Sequence, residues 1–195
     1  MTHRSWLVLP LLLFTSGISP VLAAPVPIRQ VGTQSEWSTA ASTLREFVHT
    51  GETGDRGLIH LIRHAGWSAD ELRIGLTKPY RVDPVAMARF LDSERGDRFL
   101  SRHLGSYAPT AAPQAARLAM RSAILAAAGD GLISSMDVLA NLPTDFSLRH
   151  QGGPAMPVCG LGAGMAGERS RSWLSWLVFL PACLQAEASE RRSQP

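Results

Sequence analysis

The stretch GLIHLIRHAGWSADEL, residues 57–72, decides which fold the rest of the chain can adopt. A half-buried strand needs apolar residues at every second position, whereas an amphipathic helix needs them three or four positions apart. His60, Arg63 and His64 fall on one side of a helical wheel. The apolar residues fall together on the other side: Leu58, Leu61, Ile62 and Ala65. This part of the chain is therefore predicted to form a helix.

Capping signals on both sides of this stretch support the helix. Asp55 stands where an N-cap is needed, and Gly66 stands just past the end. Ser68 and Glu71 have the spacing of a capping box, in which the serine oxygen accepts a backbone N–H and the glutamate bonds back to the cap residue. Further signals of this kind occur at Gly51, Asp83-Pro84, and Ser134 with Asp137.

Helical spacing of apolar residues continues on both sides. One helix is expected to start at Ser35 and to stop at Gly51, and another to run from Pro84 toward Ser93 until Gly96 breaks it. The predicted core residues are Trp37, Ala41, Leu44, Val48, Leu58, Leu61, Ile62, Ala65, Leu72, Leu76, Met87, Phe90, Leu91, Phe99, Leu100, Leu104, Leu118, Ile124 and Leu125.

The longest predicted helix opens at Pro113 and is rich in alanine, which favours helix and lets neighbouring helices approach closely. Pro143 ends the last helix. From Phe146 to Arg149 apolar and polar residues alternate, which predicts a short strand or extended arm. The predicted fold class is all-α: a compact bundle of six or seven short helices within residues 35–149, with that arm and a flexible C-terminal tail.

The first 23 residues read as a signal peptide. Thr2-His3-Arg4 is a positive start, residues 6–14 (WLVLPLLLF) are apolar, and Val21-Leu22-Ala23 offers the small residues that a signal peptidase reads. An uncleaved membrane anchor is the alternative, but the apolar run is short for a hydrocarbon core of ~30 Å. Cleavage near Ala23 would export the chain to the periplasm or the medium, with residues 24–34 as an extended lead-in.

Residues 150–195 are predicted to be a Gly/Pro-rich linker followed by an apolar tail. The segment WLSWLVFLPACL, residues 173–184, has three interpretations: it lies on a membrane surface, docks on the domain, or binds a partner. A weak membrane contact would use Trp173, Trp176 and Phe179. Cys159 and Cys183 either form a disulfide in the oxidising compartment or remain two thiols.

Charge excludes nucleic acid as the expected partner. The formal net charge is only +3, and arginines alternate with acids along the chain without forming a dense basic tract. The expected partner is instead a protein of unknown identity or a hydrophobic ligand held between helices.

Motifs that would carry chemistry are incomplete. His60 and His64 have the spacing of a two-histidine metal pair, but Leu61 occupies the position of the glutamate that a zinc peptidase uses to activate water. The glycines of residues 162–167 match G-x-G-x-x-G without the preceding strand that a dinucleotide site requires. No serine lies in G-x-S-x-G; Ser68 lacks the second glycine. No catalytic, metal-binding or cofactor-binding residue is assigned, and no cofactor is expected.

The letters LIRHAG, residues 61–66, also resemble the opening of a histidine phosphatase. In that family a strand ends in an Arg-His-Gly or Arg-His-Ala turn whose histidine is the nucleophile; here this would be His64, with His150 as the second histidine. The helical spacing disfavours this interpretation.

A second resemblance covers about residues 40–149. The segment LAMRSAILAAAGDGLISSMDVLANLPTDFSLR is similar to a small helical domain of unknown function that usually stands, after a signal peptide, in front of an α/β-hydrolase catalytic domain. The matching features are Arg121, Ala123, Ala127-Ala128, Gly131-Leu132, Leu139, Leu142-Pro143 and Phe146 to Arg149.

The resemblance implies an accessory domain without assigned catalytic residues. This chain is expected to depart from the family pattern in one way, because the hydrolase part is absent here. The predicted function is an exported, non-catalytic helical interaction module associated with α/β hydrolases. The alternatives are an enzyme fragment of the α/β-hydrolase family or, less favoured, a histidine phosphatase using His64.

Overall fold

The computed structural model describes residues 27–31, 36–105, 107–109, 113–143, 148–150 and 173–189. Helices dominate these residues, so the predicted helical fold class is confirmed. The helices are α1 (Ala41–Thr50), α2 (Arg56–His64), α3 (Ala69–Thr77), α4 (Pro84–Leu91), α5 (Glu94–Gly105), α6 (Pro113–Ala127), α7 (Ser135–Asn141) and α8 (Trp173–Ser189). The short strands are β1 (Pro27–Val31), β2 (Glu36–Ala40), β3 (Tyr80–Arg81), β4 (Tyr107–Pro109), β5 (Leu132–Ile133) and β6 (Leu148–His150).

The predicted caps form hydrogen bonds at the helix starts. The Asp55 carboxylate accepts the Leu58 backbone N–H at 2.7 Å, and Ser68 with Glu71 forms the complete capping box of α3. Further caps lie at Asp83, which precedes Pro84 in α4, and at Ser134 with Asp137 in α7. Gly51 and Gly66 adopt the positive φ angles that glycine tolerates best, 79° and 67°. Local sequence therefore defines most helix ends.

A single apolar core joins the helices. Leu58, Leu61, Ile62 and Ala65 of α2 are all buried, as the helical spacing of this stretch predicts. Residues 59–63 lie within α2, so the strand that the alternative fold needs is not formed there. Burial of this stripe removes apolar surface from water at roughly 25 cal/mol per Å², which is the main favourable term in folding.

The start of the first helix is predicted wrongly. The chain from Glu36 to Ala40 forms β2, and α1 begins only at Ala41. The strand pairs antiparallel with β1, with Trp37 opposite Gln30. A strand depends on a partner distant in the sequence, and helical spacing alone does not report that partner.

Two sheets accompany the helices. The larger has the order β2-β1-β6-β4, with β1 and β6 parallel and the other pairs antiparallel. The smaller pairs Tyr80 with Ile133 and Arg81 with Leu132 in β3 and β5. Strand β6 contains the end of the predicted extended arm, whereas Phe146 lies outside the described residues.

Gly96 lies inside α5 and does not break a helix, contrary to the sequence prediction. Helix α4 ends at Leu91 and α5 begins at Glu94, so the two are joined by Asp92 and Ser93 alone. A Cβ atom on Gly96 would lie 2.2 Å from the backbone oxygen of Phe90. The glycine is explained by this close approach of two helices, not by termination.

The inward face of α6 also differs from the prediction. Leu118 is 58% exposed, while Ala116, Met120, Ala123 and Ala127 are buried with Ile124. The small side chains let α6 approach its neighbours, and the leucine turns outward. Spacing located the helix correctly but assigned one leucine to the wrong side.

Helix α8 is the largest departure from the expected flexible tail. It packs against α3, α4 and α7 and against β3, and residues on all its sides are buried, including Leu174, Leu177 and Leu184. Docking on the domain, one of the three interpretations of this segment, is therefore what the structure shows for Trp173–Ser189. Among the described helices, none has the length and apolar content needed to cross a bilayer.

Candidate functional site

Two clefts of the described surface meet at the turn from Asp130 to Leu132. The turn follows α6 and leads into β5. Gly131 has φ of 85°, and its carbonyl accepts the N–H of Val82 at 3.0 Å. The Asp130 carboxylate accepts the Leu132 N–H at 3.0 Å. These bonds present the Leu132 side chain outward, and it is 41% exposed.

Two clefts border this turn, one on each side. The first has a volume of about 520 Å³ and is bordered by β3, the start of α4 and the end of α8. The second has a volume of about 590 Å³ and is bordered by α1, α7 and the residues that follow α3. Both volumes are within the range typical of sites for small organic groups or for protruding side chains of a partner. Leu132 and Asp130 line both clefts.

The two clefts mix charged and apolar side chains. Arg81 and Asp83 line the first together with Val82 and Ala86, while the second is lined by Arg45 and His49 with Val48 and Met136. Charges at the edge and apolar groups between them are typical of a surface that binds another protein.

The carboxylates in the clefts already bind backbone groups. Asp83 accepts the N–H groups of Val85 and Ala86 at 2.9 and 3.3 Å. Asp137 accepts both the backbone N–H and the hydroxyl of Ser134, at 2.9 and 2.6 Å. Their acceptor positions hold helix starts in place, so these acids have a structural role.

A strongly perturbed titratable group, His103, lies inside the fold. His103 of α5 is buried, its ring is stacked 3.9 Å from Phe99, and its Nδ1 accepts the Trp176 indole N–H at 3.1 Å. Burial, and secondarily the charge of Arg102, lowers the pKa of His103 from 6.5 to about 4. The imidazole is therefore neutral at pH 7, with Nε2 carrying the proton, and it joins α5 to α8.

Buried serines are also engaged in holding helices together. The hydroxyl of Ser135 donates to the backbone oxygen of Leu177 at 2.7 Å, and the Ser175 hydroxyl accepts the Trp67 indole N–H at 2.9 Å. A nucleophilic serine needs a base within reach and an open approach for substrate. Ser135 is fully buried and Ser175 is 1% exposed, so these two serines lack that approach.

The sequence-derived candidates for chemistry lie on several elements of the fold. His60 and His64 lie on α2, which does not follow a strand as a histidine phosphatase would require, and Ser68 caps α3. His150 is in β6, and the glycines of residues 162–167 lie outside the described residues. Within the described ranges no three His, Cys, Asp or Glu side chains converge as metal ligands would.

Two of the three aromatic residues proposed for membrane contact pack against the domain. Trp176 is 4% exposed, and the ring of Phe179 is 5.9 Å from that of Trp67. Contact of Trp173, Trp176 and Phe179 with a membrane stays a prediction. Cys183 is disulfide-bonded, and the other cysteine of the chain, Cys159, lies outside the described residues.

The hydrogen bonds of Ser135 and His103 are not among the sequence-based predictions. For Ser135 the available signal was Pro181 inside the apolar segment, because a proline in a helix leaves one carbonyl without its partner. That carbonyl requires a donor from elsewhere in the fold.

Comparison with known proteins identifies a family for this chain. No curated protein and no solved structure matches this chain. A family described as an alpha/beta hydrolase of unknown function (DUF1400) matches residues 31–147, more than half of the chain. The match covers α1 to α7 and the turn from Asp130 to Leu132 but not α8. This chain belongs to the DUF1400 family of alpha/beta hydrolases of unknown function.

Proposed function

We propose that this chain is an exported, non-catalytic helical module that binds a hydrolase through the surface around Leu132. The observation that carries the proposal is the exposure of Leu132 between two clefts, inside the family-matched residues. A large apolar side chain held outward by backbone hydrogen bonds is suited to enter a pocket of a partner. The family description supports a hydrolase as that partner.

Charges around Leu132 favour a specific orientation of the partner. Arg81 and Arg45 stand on opposite sides of the turn, one in each cleft, and Asp130 lies between them in both. Such charges at the edge of an interface select partners and speed association more than they add affinity. The partner surface is therefore expected to carry an apolar pocket with acidic groups on either side.

The module is tested by capture of hydrolase activity. The chain without its first 23 residues is immobilised, incubated with exported proteins of its source organism, washed, and assayed on p-nitrophenyl butyrate. Leu132→Asp is expected to reduce the captured activity more than tenfold, because a charge in the centre of an apolar contact costs at least about 2 kcal/mol. Leu118→Asp is the matched control, since Leu118 is also exposed but lies outside the clefts.

The outcomes separate the two candidate functions. Equal loss with both aspartate variants, or no captured activity, contradicts binding through Leu132. The second candidate, a hydrolase activity of the chain itself, is favoured by the family description. Ester hydrolysis by the purified chain before incubation with any extract would support that candidate and contradict a purely accessory module.

Export is proposed from the pattern of residues 1–23 and is tested separately. The mature protein recovered from the periplasm or medium is expected to begin at Ala24 or Pro25. Intact-mass measurement of that protein gives the answer directly. Recovery of the full mass from the cell interior alone would contradict export.

A further inference from the structure

Helix α8 occupies a groove that the family-matched part of the chain builds by itself. The α8 groove is formed by α3, α4, α7 and β3, all of which lie within residues 31–147, whereas α8 lies beyond them. Residues 151–172 separate α8 from β6 along the chain. The groove and its occupant are thus distinct segments, and their contacts can be considered as those of a receptor and a ligand.

Pro181 gives the occupant one feature that an ordinary helix lacks. It has no N–H, so the carbonyl of Leu177, four residues earlier, cannot accept the usual helical hydrogen bond. The Ser135 hydroxyl supplies the missing donor at 2.7 Å. Ser135 is fully buried, so water does not replace it at this position. The groove therefore contains a donor placed for the carbonyl that a proline sets free.

Other polar contacts fix the position of α8 along the groove. The indole N–H of Trp67 donates to Ser175 at 2.9 Å, and the amide of Gln185 donates to the backbone oxygen of Arg81 at 2.7 Å. Near the C-terminal end of α8, Glu187 forms an ion pair with Arg95. These contacts lie along most of the helix and oppose sliding by a single turn.

The floor of the groove is shaped for one branched side chain. Gly75 of α3 faces Val178, and a Cβ atom at position 75 would lie 2.7 Å from the valine Cγ1 atom. The absence of a side chain at Gly75 makes room for Val178, which is one residue from the freed carbonyl of Leu177. Shape and hydrogen bonding thus select the same part of the ligand.

We propose that the α8 groove is a helix-recognition site whose ligand is the α8 segment of this chain, and that Ser135 determines specificity by recognising the carbonyl freed by Pro181. The α8 segment is a separable ligand and binds the same groove when it is supplied as a separate fragment. The inference rests on Ser135 and Gly75, neither of which lines the two clefts beside Leu132, although Arg81 belongs to both the first cleft and the α8 groove.

The first experiment uses the intact chain and a double-mutant cycle. Ser135→Ala is expected to lower the folding equilibrium constant roughly tenfold, about 1.4 kcal/mol, because it leaves a buried carbonyl without a donor. In the Pro181→Ala background the same change is expected to have an effect of less than threefold, since the N–H of residue 181 then satisfies Leu177. Urea unfolding followed by circular dichroism measures all four proteins.

Ser122→Ala serves as the control because Ser122 is an exposed serine on α6. It is expected to leave the folding equilibrium constant unchanged in both backgrounds. If Ser135→Ala lowers the folding equilibrium constant equally with proline and with alanine at position 181, the proposed recognition of the freed Leu177 carbonyl by Ser135 is overturned.

The second experiment separates the ligand from the groove. A protease site is inserted between Gly152 and Gly153 of the full chain, so that the cut fragment retains both Cys159 and Cys183. After cleavage, a fluorescent copy of residues 153–195 is added in excess and its incorporation is followed by size-exclusion chromatography. The labelled fragment is expected to replace the resident one.

Variants in this exchange provide the decisive comparison. Ser135→Ala in the receptor is expected to weaken binding of the proline-containing fragment about tenfold and that of the Pro181→Ala fragment less than threefold. If no labelled fragment is incorporated, α8 is not a separable ligand and the proposal fails. Equal affinities of the two fragments for both receptors would likewise overturn it.

Discussion

Replacing Gly96 by alanine is expected to lower the free energy of unfolding by about 3 kcal/mol, near the upper end of the usual range for overpacking. The added Cβ atom would lie 2.2 Å from the Phe90 backbone oxygen and 2.7 Å from the Leu91 Cα atom. These are backbone atoms of the last turn of α4, and they cannot move aside as a flexible side chain would. Relief requires that α4 and α5 separate, which opens the core between them.

Several bonds in the α4–α5 turn oppose such a separation. The Ser93 hydroxyl donates to the Phe90 oxygen at 2.6 Å and accepts the Gly96 N–H at 3.2 Å. A helical glycine changed to alanine without steric conflict would instead be stabilising by roughly 0.5–1 kcal/mol. The predicted effect therefore has the opposite sign from helix propensity.

Gly54→Ala is the matched control, because a Cβ atom there meets nothing within 4 Å. Its effect on the free energy of unfolding is expected to be within about 1 kcal/mol of zero. Thermal or urea unfolding of both variants measures the difference. If Gly96→Ala were as stable as the unchanged protein, the close approach of α4 to α5 would be incorrect.

Acidification is expected to destabilise the fold through His103. Its pKa is about 4 in the folded protein and 6.5 without the fold, so between these pH values the unfolded chain binds a proton that the folded chain does not. The free energy of unfolding therefore rises with pH across this window and falls as the pH is lowered. The expected loss is about 2 kcal/mol between pH 7 and pH 5, and about 3 kcal/mol in total below pH 4.

The structural cause is the buried contact with Trp176. The indole can only donate a hydrogen bond, and it donates to His103 Nδ1 at 3.1 Å. Protonation of that nitrogen would place two N–H groups against each other, and His103 is only 4% exposed, so water cannot easily separate them. The acid-sensitive contact thus joins α5 to α8.

His103→Gln isolates this contribution, because glutamine can accept from the indole but does not titrate in this range. Denaturant unfolding is measured at several values between pH 7 and pH 5 for both proteins. The variant is expected to lose about 2 kcal/mol less over this interval than the unchanged protein. Parallel pH profiles would show that His103 is not the responsible group.

The features predictable from sequence are those fixed by neighbouring residues. Asp55, Ser68 and Asp83 bind backbone N–H groups within three residues, so local spacing was sufficient to place the starts of α2, α3 and α4. The buried stripe of α2 follows from helical geometry in the same way. The alanine-rich composition of α6 also predicted a helix, but it did not predict that Leu118 points outward.

Features that depend on distant contacts could not be predicted in this way. Trp37 belongs to a strand because residues 27–31 pair with it, and Gly96 is required by the path of α4. The apolar segment of α8 was recognised, but its burial depends on a groove formed by α3, α4 and α7. At the candidate site, the Gly-Leu turn was visible as a motif, while the exposure of Leu132 between two clefts required the folded structure.

Strand pairing holds the two ends of the α1–α7 unit together. Arg29 of β1 lies beside Arg149 of β6, so a strand before α1 and the strand after α7 are neighbours in one sheet. Because β1 and β6 are parallel, the chain enters this pair at one end and leaves it at the opposite end. A host loop that accepts α1–α7 would therefore need a linker on one side as long as the strand pair.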